Sequence, residues 1–315
     1  MQPADHAAAL ANLYPEAAEY VAEHWALGRL EARAASRNSS QALCVSVFET
    51  IARRERKARD SLLNSLLTAA GILARDTHDA AVSAEVRQHR ELLNELGGGT
   101  PTALDGLITW ATGVVTVESK FTEPTFERCG QTRPAKVTPK DARFDASDPT
   151  RRLPNCSGEH RVGSDLKPST AKLEATCRLT VQDGRRTPRR YWDVAPSLFA
   201  PTIYHVPRSP CPFASSTYQL MRNLAFAHAW AGKHGLPDWS FLVMIVDASP
   251  KAQELRRQVR AFRDTLLPNV APRVATLSYE QAANVLAARG ETDLGAWIRN
   301  RITGVFPSAE VAAAS

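Results

Sequence analysis

Apolar positions recur along this chain with two different spacings, and the change from one to the other divides it into helical and extended stretches. Residues 15–36 predict a helix: Pro15 suits a first turn, and Ala, Glu and Leu dominate after it. A second helix is expected after Ser39-Ser40, running through QALCVSVFETIARRERKARDSLLNSLL, with Leu43, Val47 and Ile51 on one face and Cys44 and Phe48 beside it. A third is expected from about Ser83 to Leu96, stopped by Gly97-Gly98-Gly99. The texture then changes. ALDGLITW and VVTVESKF are short runs rich in apolar and β-branched residues, and Ala111-Thr112-Gly113 lies between them, which predicts a β-hairpin.

The C-terminal third alternates. TYQLMRNLAFAHAWAGKHG reads as a helix ending at Gly235, and SFLVMIVD, residues 240–247, as a strand buried on both faces. Ser249-Pro250 is expected to open a helix with Leu255, Val259, Phe262 and Leu266 as its apolar stripe. RVATL reads as another strand, and Ser278 with Gln281 as a capping box for a last helix. This order predicts an α/β fold, a mixed central sheet with helices on both faces. The chain divides into an N-terminal helical extension, residues 1–38, and a main domain, residues 39–315.

Charge sharpens this division. The chain has 315 residues and a net charge of +6, and the segment from Phe121 to Ser215 alone carries sixteen Lys or Arg against ten Asp or Glu. The rest is therefore neutral. The same segment holds twelve of the twenty prolines, a density that breaks helices and central strands. Residues from about 123 to 213 thus read as an irregular basic insertion, either a solvated loop or an arm that neutralises phosphates. Five cysteines in a chain of this size call for no disulfide framework. The opening MQPADHAAALANLYPEA lacks a basic stretch followed by an apolar one, and no apolar run reaches membrane-spanning length. The expectation is a soluble, cytoplasmic protein with no membrane partner.

The hairpin carries the candidate chemistry. With its turn centred between Ala111 and Thr112, Asp105 falls opposite Glu118, and Lys120 lies on the same face two residues on. Val115, Val117, Ser119 and Phe121 point the other way. Like charges facing each other across a sheet are destabilising unless something neutralises them. Two carboxylates are hard oxygen ligands suited to Mg²⁺, with Mn²⁺ the alternative, and a nearby lysine can steady an attacking water or developing negative charge. A plain surface ion pair with Lys120 is the competing reading.

A carboxylate followed by E-x-K on the next strand resembles the PD-(D/E)xK nuclease superfamily. The SSQAL helix ahead of the hairpin, TVESKFTEP and the later YQLMRN helix with its apolar strand look like a group of bacterial restriction-endonuclease-like proteins. The likeness spans about residues 39–250. It implies a metal-dependent hydrolase of phosphodiester bonds in DNA, a restriction-type or defence endonuclease. Asp105 and Glu118 would be the metal ligands, Lys120 the catalytic lysine, and Glu49 an acidic residue beside the metal. Gln41, Gln219 and Arg222 are the expected nucleic-acid contacts; Gln219 and Arg222, with Asn223 beside them, form one polar helix face that could touch a phosphate or buttress Lys120, a solvated face being the competing reading. The sequence departs from the pattern in lacking a proline before Asp105 and in its long insertion.

Other constellations are less pointed. Cys129, Cys156, His160, Cys177 and Cys211 fall in the insertion without a CxxC pair, so zinc there competes with scattered thiols. Tyr191-Trp192, flanked by Arg189-Arg190, could stack on a base or anchor a loop. A non-catalytic nucleic-acid-binding module on a nuclease-like scaffold is the alternative function, and recognition of a protein or small ligand a third. DNA is the expected partner. A homodimer is also expected, because cutting two strands commonly takes two active sites.

Overall fold

The hairpin forms where alternation of apolar residues places it, and lies within the main sheet, between the helices that cover its two faces. In the computed structural model the described residues are 3–26, 30–73, 77–96, 101–137, 139, 144–153, 156, 159–160, 189–203, 209–211, 213–214 and 216–307. In chain order the elements are α1 (Pro3–Ala11), α2 (Pro15–His24), α3 (Ser40–Ala52), α4 (Arg56–Ala69), β1 (Ala81–Val86), β2 (Leu104–Trp110) and β3 (Gly113–Lys120). The segment expected as an insertion contains the two-residue strands β4 (Ala135–Lys136), β5 (Arg152–Leu153) and β6 (Glu159–His160), the short helix α5 (Tyr191–Val194) and β7 (Ser209–Pro210). Then follow α6 (Tyr218–His234), β8 (Asp238–Ile245), α7 (Ala252–Arg263), β9 (Val274–Ser278), α8 (Tyr279–Ala288) and α9 (Thr292–Val305).

The main sheet has the order β1-β2-β3-β8-β9. Its first three strands are antiparallel neighbours, and β8 and β9 add in parallel. Side chains alternate across it. Ile108, Trp110, Val115, Val117, Leu242, Met244 and Leu277 face one core, shared with α3, α4, α8 and α9. Leu107, Val114, Phe241, Val243, Ile245 and Val274 face a second core, shared with α6 and α7. The result is an α/β fold whose sheet is covered on both faces. The expected order of elements from the hairpin to α8 is present, including the Ser278–Gln281 capping box and the left-handed Gly235 that ends α6, and α9 follows as a helix the sequence reading did not include. Among the described residues no helix is long and apolar enough to cross a membrane.

Four helix boundaries differ from expectation. Residues 83–96 are not a helix. Val82 and Ala84 are buried while Ala81 and Ser83 are exposed, and this two-residue period makes β1 the strand that pairs with the open edge of β2. The Ala and Glu content that suggested a helix is outweighed by that pairing, and the chain then turns through left-handed His89 and Asn94. The long helix after Ser39-Ser40 breaks at Arg53–Glu55. Arg54 is drawn out of line there by Glu16 and Glu291, each 2.6 Å away, and α4 starts afresh. The first helix stops at His24 rather than 36, and Trp25 and Leu30 turn into the core. Finally, α7 begins at Ala252. Ser249 instead forms the turn before it, its carbonyl accepting from the Ala252 N–H.

The N-terminal residues are not detached from the rest. Ala9, Leu13, Val21 and Leu30 are buried in the same core as α3 and β3. The ends of the expected insertion are docked as well. Phe126, Tyr191, Leu198, Phe199 and Phe213 belong to the second core. Cys177 and the Arg185-Arg186 pair lie outside the described residues, as do the Gly97–Gly99 stop and the side chains of His160 and Trp192.

Candidate active site

The register of the sheet assembles the site. Gly106 pairs with Val117 and Leu107 with Thr116, so one step further along the ladder Asp105 stands opposite Glu118. On the other side of β2, Ala84 pairs with Gly106 and Val86 with Leu104, which sets Glu85 opposite Asp105. Three carboxylates thus occupy one row across β1, β2 and β3. Glu85 holds this place with a backbone φ of 53°, a left-handed conformation uncommon for a residue with a β-carbon. On β3 the alternation sends Glu118 and Lys120 toward α6. Ser119 points the other way, where its hydroxyl meets the Tyr279 hydroxyl of α8 at 2.7 Å.

The contacts are short. Lys120 Nζ is 2.9 Å from Glu118 Oε1, an ion pair off the line a hydrogen bond prefers, and donates to Gln219 Oε1 at 3.0 Å. Its ammonium also stands 5.5 Å from the centre of the Phe126 ring. Asn223 Nδ2 donates to Glu118 Oε2 at 2.7 Å, and the Ser119 N–H donates to Asp105 Oδ2 at 2.6 Å. Burial followed by repulsion from Glu118 and Glu85 pushes the Asp105 carboxyl well above the usual range. Burial raises Glu118 too, against the pull of Lys120. Glu85 is pushed up to about 7, chiefly by burial, with a Gln41 hydrogen bond and Arg87 opposing. For Lys120 burial alone works against the charge, but Glu118, Asp105 and Glu123 outweigh it and hold the ammonium protonated.

This donor set fits a divalent cation. Asp105 and Glu118 are adjacent and repel each other, and Glu118 Oε1 is buried without an aligned hydrogen bond. Among the described residues no group of three or more His, Cys, Asp and Glu side chains could hold a metal ion. A site here would therefore rest on two carboxylates and keep several waters, which suits Mg²⁺, an ion commonly bound through one or two carboxylates plus water and phosphate oxygens.

The row lies in a cleft of about 570 Å³. Six carboxylates line it (Glu31, Glu85, Asp105, Glu118, Glu123 and Glu127) against four basic side chains, Arg87, Arg90, Lys120 and Arg222. The lining thus carries more acidic than basic side chains, and a phosphate would meet it more favourably with a cation present. The α3 N-terminus forms one wall. Ser39 caps the helix through the Ala42 N–H, Ser40 Oγ donates to Glu123 Oε1 at 2.5 Å, and Glu123 Oε2 accepts from the Phe121 N–H and so holds the turn after β3.

The candidates named from sequence are not all brought together. Asp105, Glu118, Lys120, Gln41, Gln219 and Arg222 line the cleft. Glu49 does not: it sits deeper on α3, where its Oε1 accepts from the Ala84 N–H at 3.0 Å. Gln41 Oε1 accepts from the Glu31 N–H at 3.0 Å while its side chain bonds Glu85. Arg222 is buried rather than solvated, donating to Thr102 Oγ1 at 3.2 Å with its guanidinium over the Tyr218 ring. Behind it Glu95 accepts from Thr102, from Arg189 and from the Tyr191 hydroxyl, so Tyr191 anchors its segment to the core. Sequence reasoning misses Glu85 as a member of the site and places Asn223 only as a neighbour of Gln219 and Arg222, with no role toward Glu118. Reading 81–86 as a strand would have put Glu85 in register with Asp105. Asn223 was visible as a polar position one helical turn after Gln219.

No curated protein and no solved structure matches this chain. A family model does: residues 10–301, nearly the whole length, match the family described as Restriction Endonuclease associating with ARP, and the chain belongs to that family.

Proposed function

We propose that this protein is a metal-dependent endonuclease of PD-(D/E)xK type that hydrolyses phosphodiester bonds in DNA. The observation that carries the reading is that Asp105 and Glu118 stand opposite each other one step beyond the Gly106–Val117 pair, with the Lys120 ammonium 2.9 Å from Glu118, all three lining the cleft. Membership in a restriction-endonuclease family supports it.

In this reading Asp105 and Glu118 hold Mg²⁺ or Mn²⁺. A cation bound there supplies positive charge against the scissile phosphate and acidifies the attacking water. Lys120 works as a cation. Its carboxylate neighbours favour the ammonium form, which orients the attacking water by donating a hydrogen bond and offsets charge building on the phosphate. Gln219 holds the lysine in place. Arg87 and Arg90, which line the cleft, supply the positive charge for neighbouring phosphates. Cleavage of both strands calls for two such clefts, one from each of two copies of the chain.

The test is a set of purified variants. Asp105→Ala, Glu118→Ala and Lys120→Ala should each lose DNA cleavage by at least about 100-fold, while circular dichroism shows a folded protein. Wild-type activity in all three would remove the assignment.

A further inference from the structure

We propose that Asn223 is a positioning residue for the cation site, fixing which oxygen of Glu118 faces the cleft. This rests on the metal-site reading above and extends it to a residue on α6.

Asn223 is pinned to β3 at two points on one face. Its main-chain carbonyl accepts from Thr116 Oγ1 at 3.1 Å, and its Nδ2 donates to Glu118 Oε2 at 2.7 Å. A carboxylate only accepts, so the amide must present its NH₂ to Glu118. Both residues are about 1% exposed, so water does not substitute for this bond. With Oε2 engaged, Oε1 is the oxygen turned toward Lys120, 2.9 Å from its ammonium, and a cation taken up there would share it with that ion pair. The amide is also neutral. It fixes the carboxylate without cancelling the charge that a cation would use.

Gln219, four residues earlier on α6, holds Lys120, two residues after Glu118. Four residues of helix rise about 6 Å and two residues of strand about 6.8 Å, so the spacings match. The helix thus offers two amides to the E-x-K pair, one for each charged group. Their roles separate: Asn223 acts on ligand geometry and so on metal affinity, whereas Gln219 acts on the lysine and so on turnover.

The experiment titrates metal-free full-length protein with Mn²⁺ alone by calorimetry, comparing wild type with Asn223→Ala, Asn223→Leu, Gln219→Ala and Glu118→Gln. Leucine keeps asparagine's branching and fills the space while replacing its amide with methyl groups, which keeps the test sound if the alanine variant folds poorly. Both Asn223 variants should bind Mn²⁺ about 10- to 100-fold more weakly, the usual cost of losing a group that orients a ligand. Gln219→Ala should bind as wild type does but cleave more slowly at saturating metal. If Asn223 only stabilised the fold, melting temperature would fall and the Mn²⁺ affinity of the folded protein would not. Unchanged affinity in both Asn223 variants, with binding lost in Glu118→Gln, would overturn the proposal and leave the metal site standing. No saturable Mn²⁺ binding by wild type would remove the metal-site reading and this proposal with it.

Discussion

Glu85 shows what a single buried charge does here. It is a strand residue in a left-handed conformation, in line with two other carboxylates. Its folded carboxyl is pushed up to about 7 from an ordinary value of 4.5, chiefly by burial. The sign follows from linkage. An acid that holds its proton more tightly when folded costs nothing below the unfolded value and destabilises progressively as pH rises through the folded one. The metal-free protein should therefore lose thermal stability between pH 4.5 and pH 7, and Glu85→Gln should flatten that decline. Melting curves at half-unit intervals check this. A wild-type curve that rises over the same interval, or a variant with the same slope, would contradict it. Added Mg²⁺ should restore part of the loss in the wild type, because a cation bound beside the carboxylates favours their charged form in the folded state.

The helix and strand boundaries divide into those legible in the sequence and those that packing decides. The hairpin was legible because a two-residue period fixes which side chains share a face and a short turn fixes register. Asp105, Glu118 and Lys120 could therefore be placed together from spacing alone. That register depends on Gly113, where a β-carbon would come within 2.1 Å of the Trp110 ring. Gly113→Ala should cost about 1–3 kcal/mol in a denaturant titration, and no measurable loss would mean the turn is looser than described. β1 was not legible, since its residues favour a helix locally and only the open edge of β2 makes them a strand. The break at Arg53–Glu55 likewise depends on Glu16 and Glu291, far away in sequence. Asn223 becomes part of the site only once α6 lies over β3, which no local pattern states.

At the scale of the whole molecule, the cleft joins distant parts of the chain. Its walls come from the N-terminal residues through Glu31, from α3, from the three-strand row and from α6. The segment read as an insertion is fastened behind it. Tyr191 and Arg189 meet Glu95, Glu95 meets Thr102, and Thr102 meets Arg222 beside Asn223. All of these side chains are buried, so each bond matters more than a surface contact would. Tyr191→Phe removes one hydroxyl from this chain of contacts. It should speed amide hydrogen exchange in residues 189–203 while leaving β3 and β8 protected. Uniform loss of protection across the sheet would indicate that the segment folds as one unit with the core.

The central claim is that a metal-dependent nuclease centre lies at the end of the β2–β3 hairpin. Its most direct test is incubation of supercoiled plasmid with wild-type protein and with Lys120→Ala, each in Mg²⁺, in Mn²⁺ and in EDTA. The proposal predicts nicked or linear product from the wild type with either metal, none in EDTA, and none from Lys120→Ala under any condition. Cleavage that persists in EDTA, or that Lys120→Ala carries out at the wild-type rate, would contradict it.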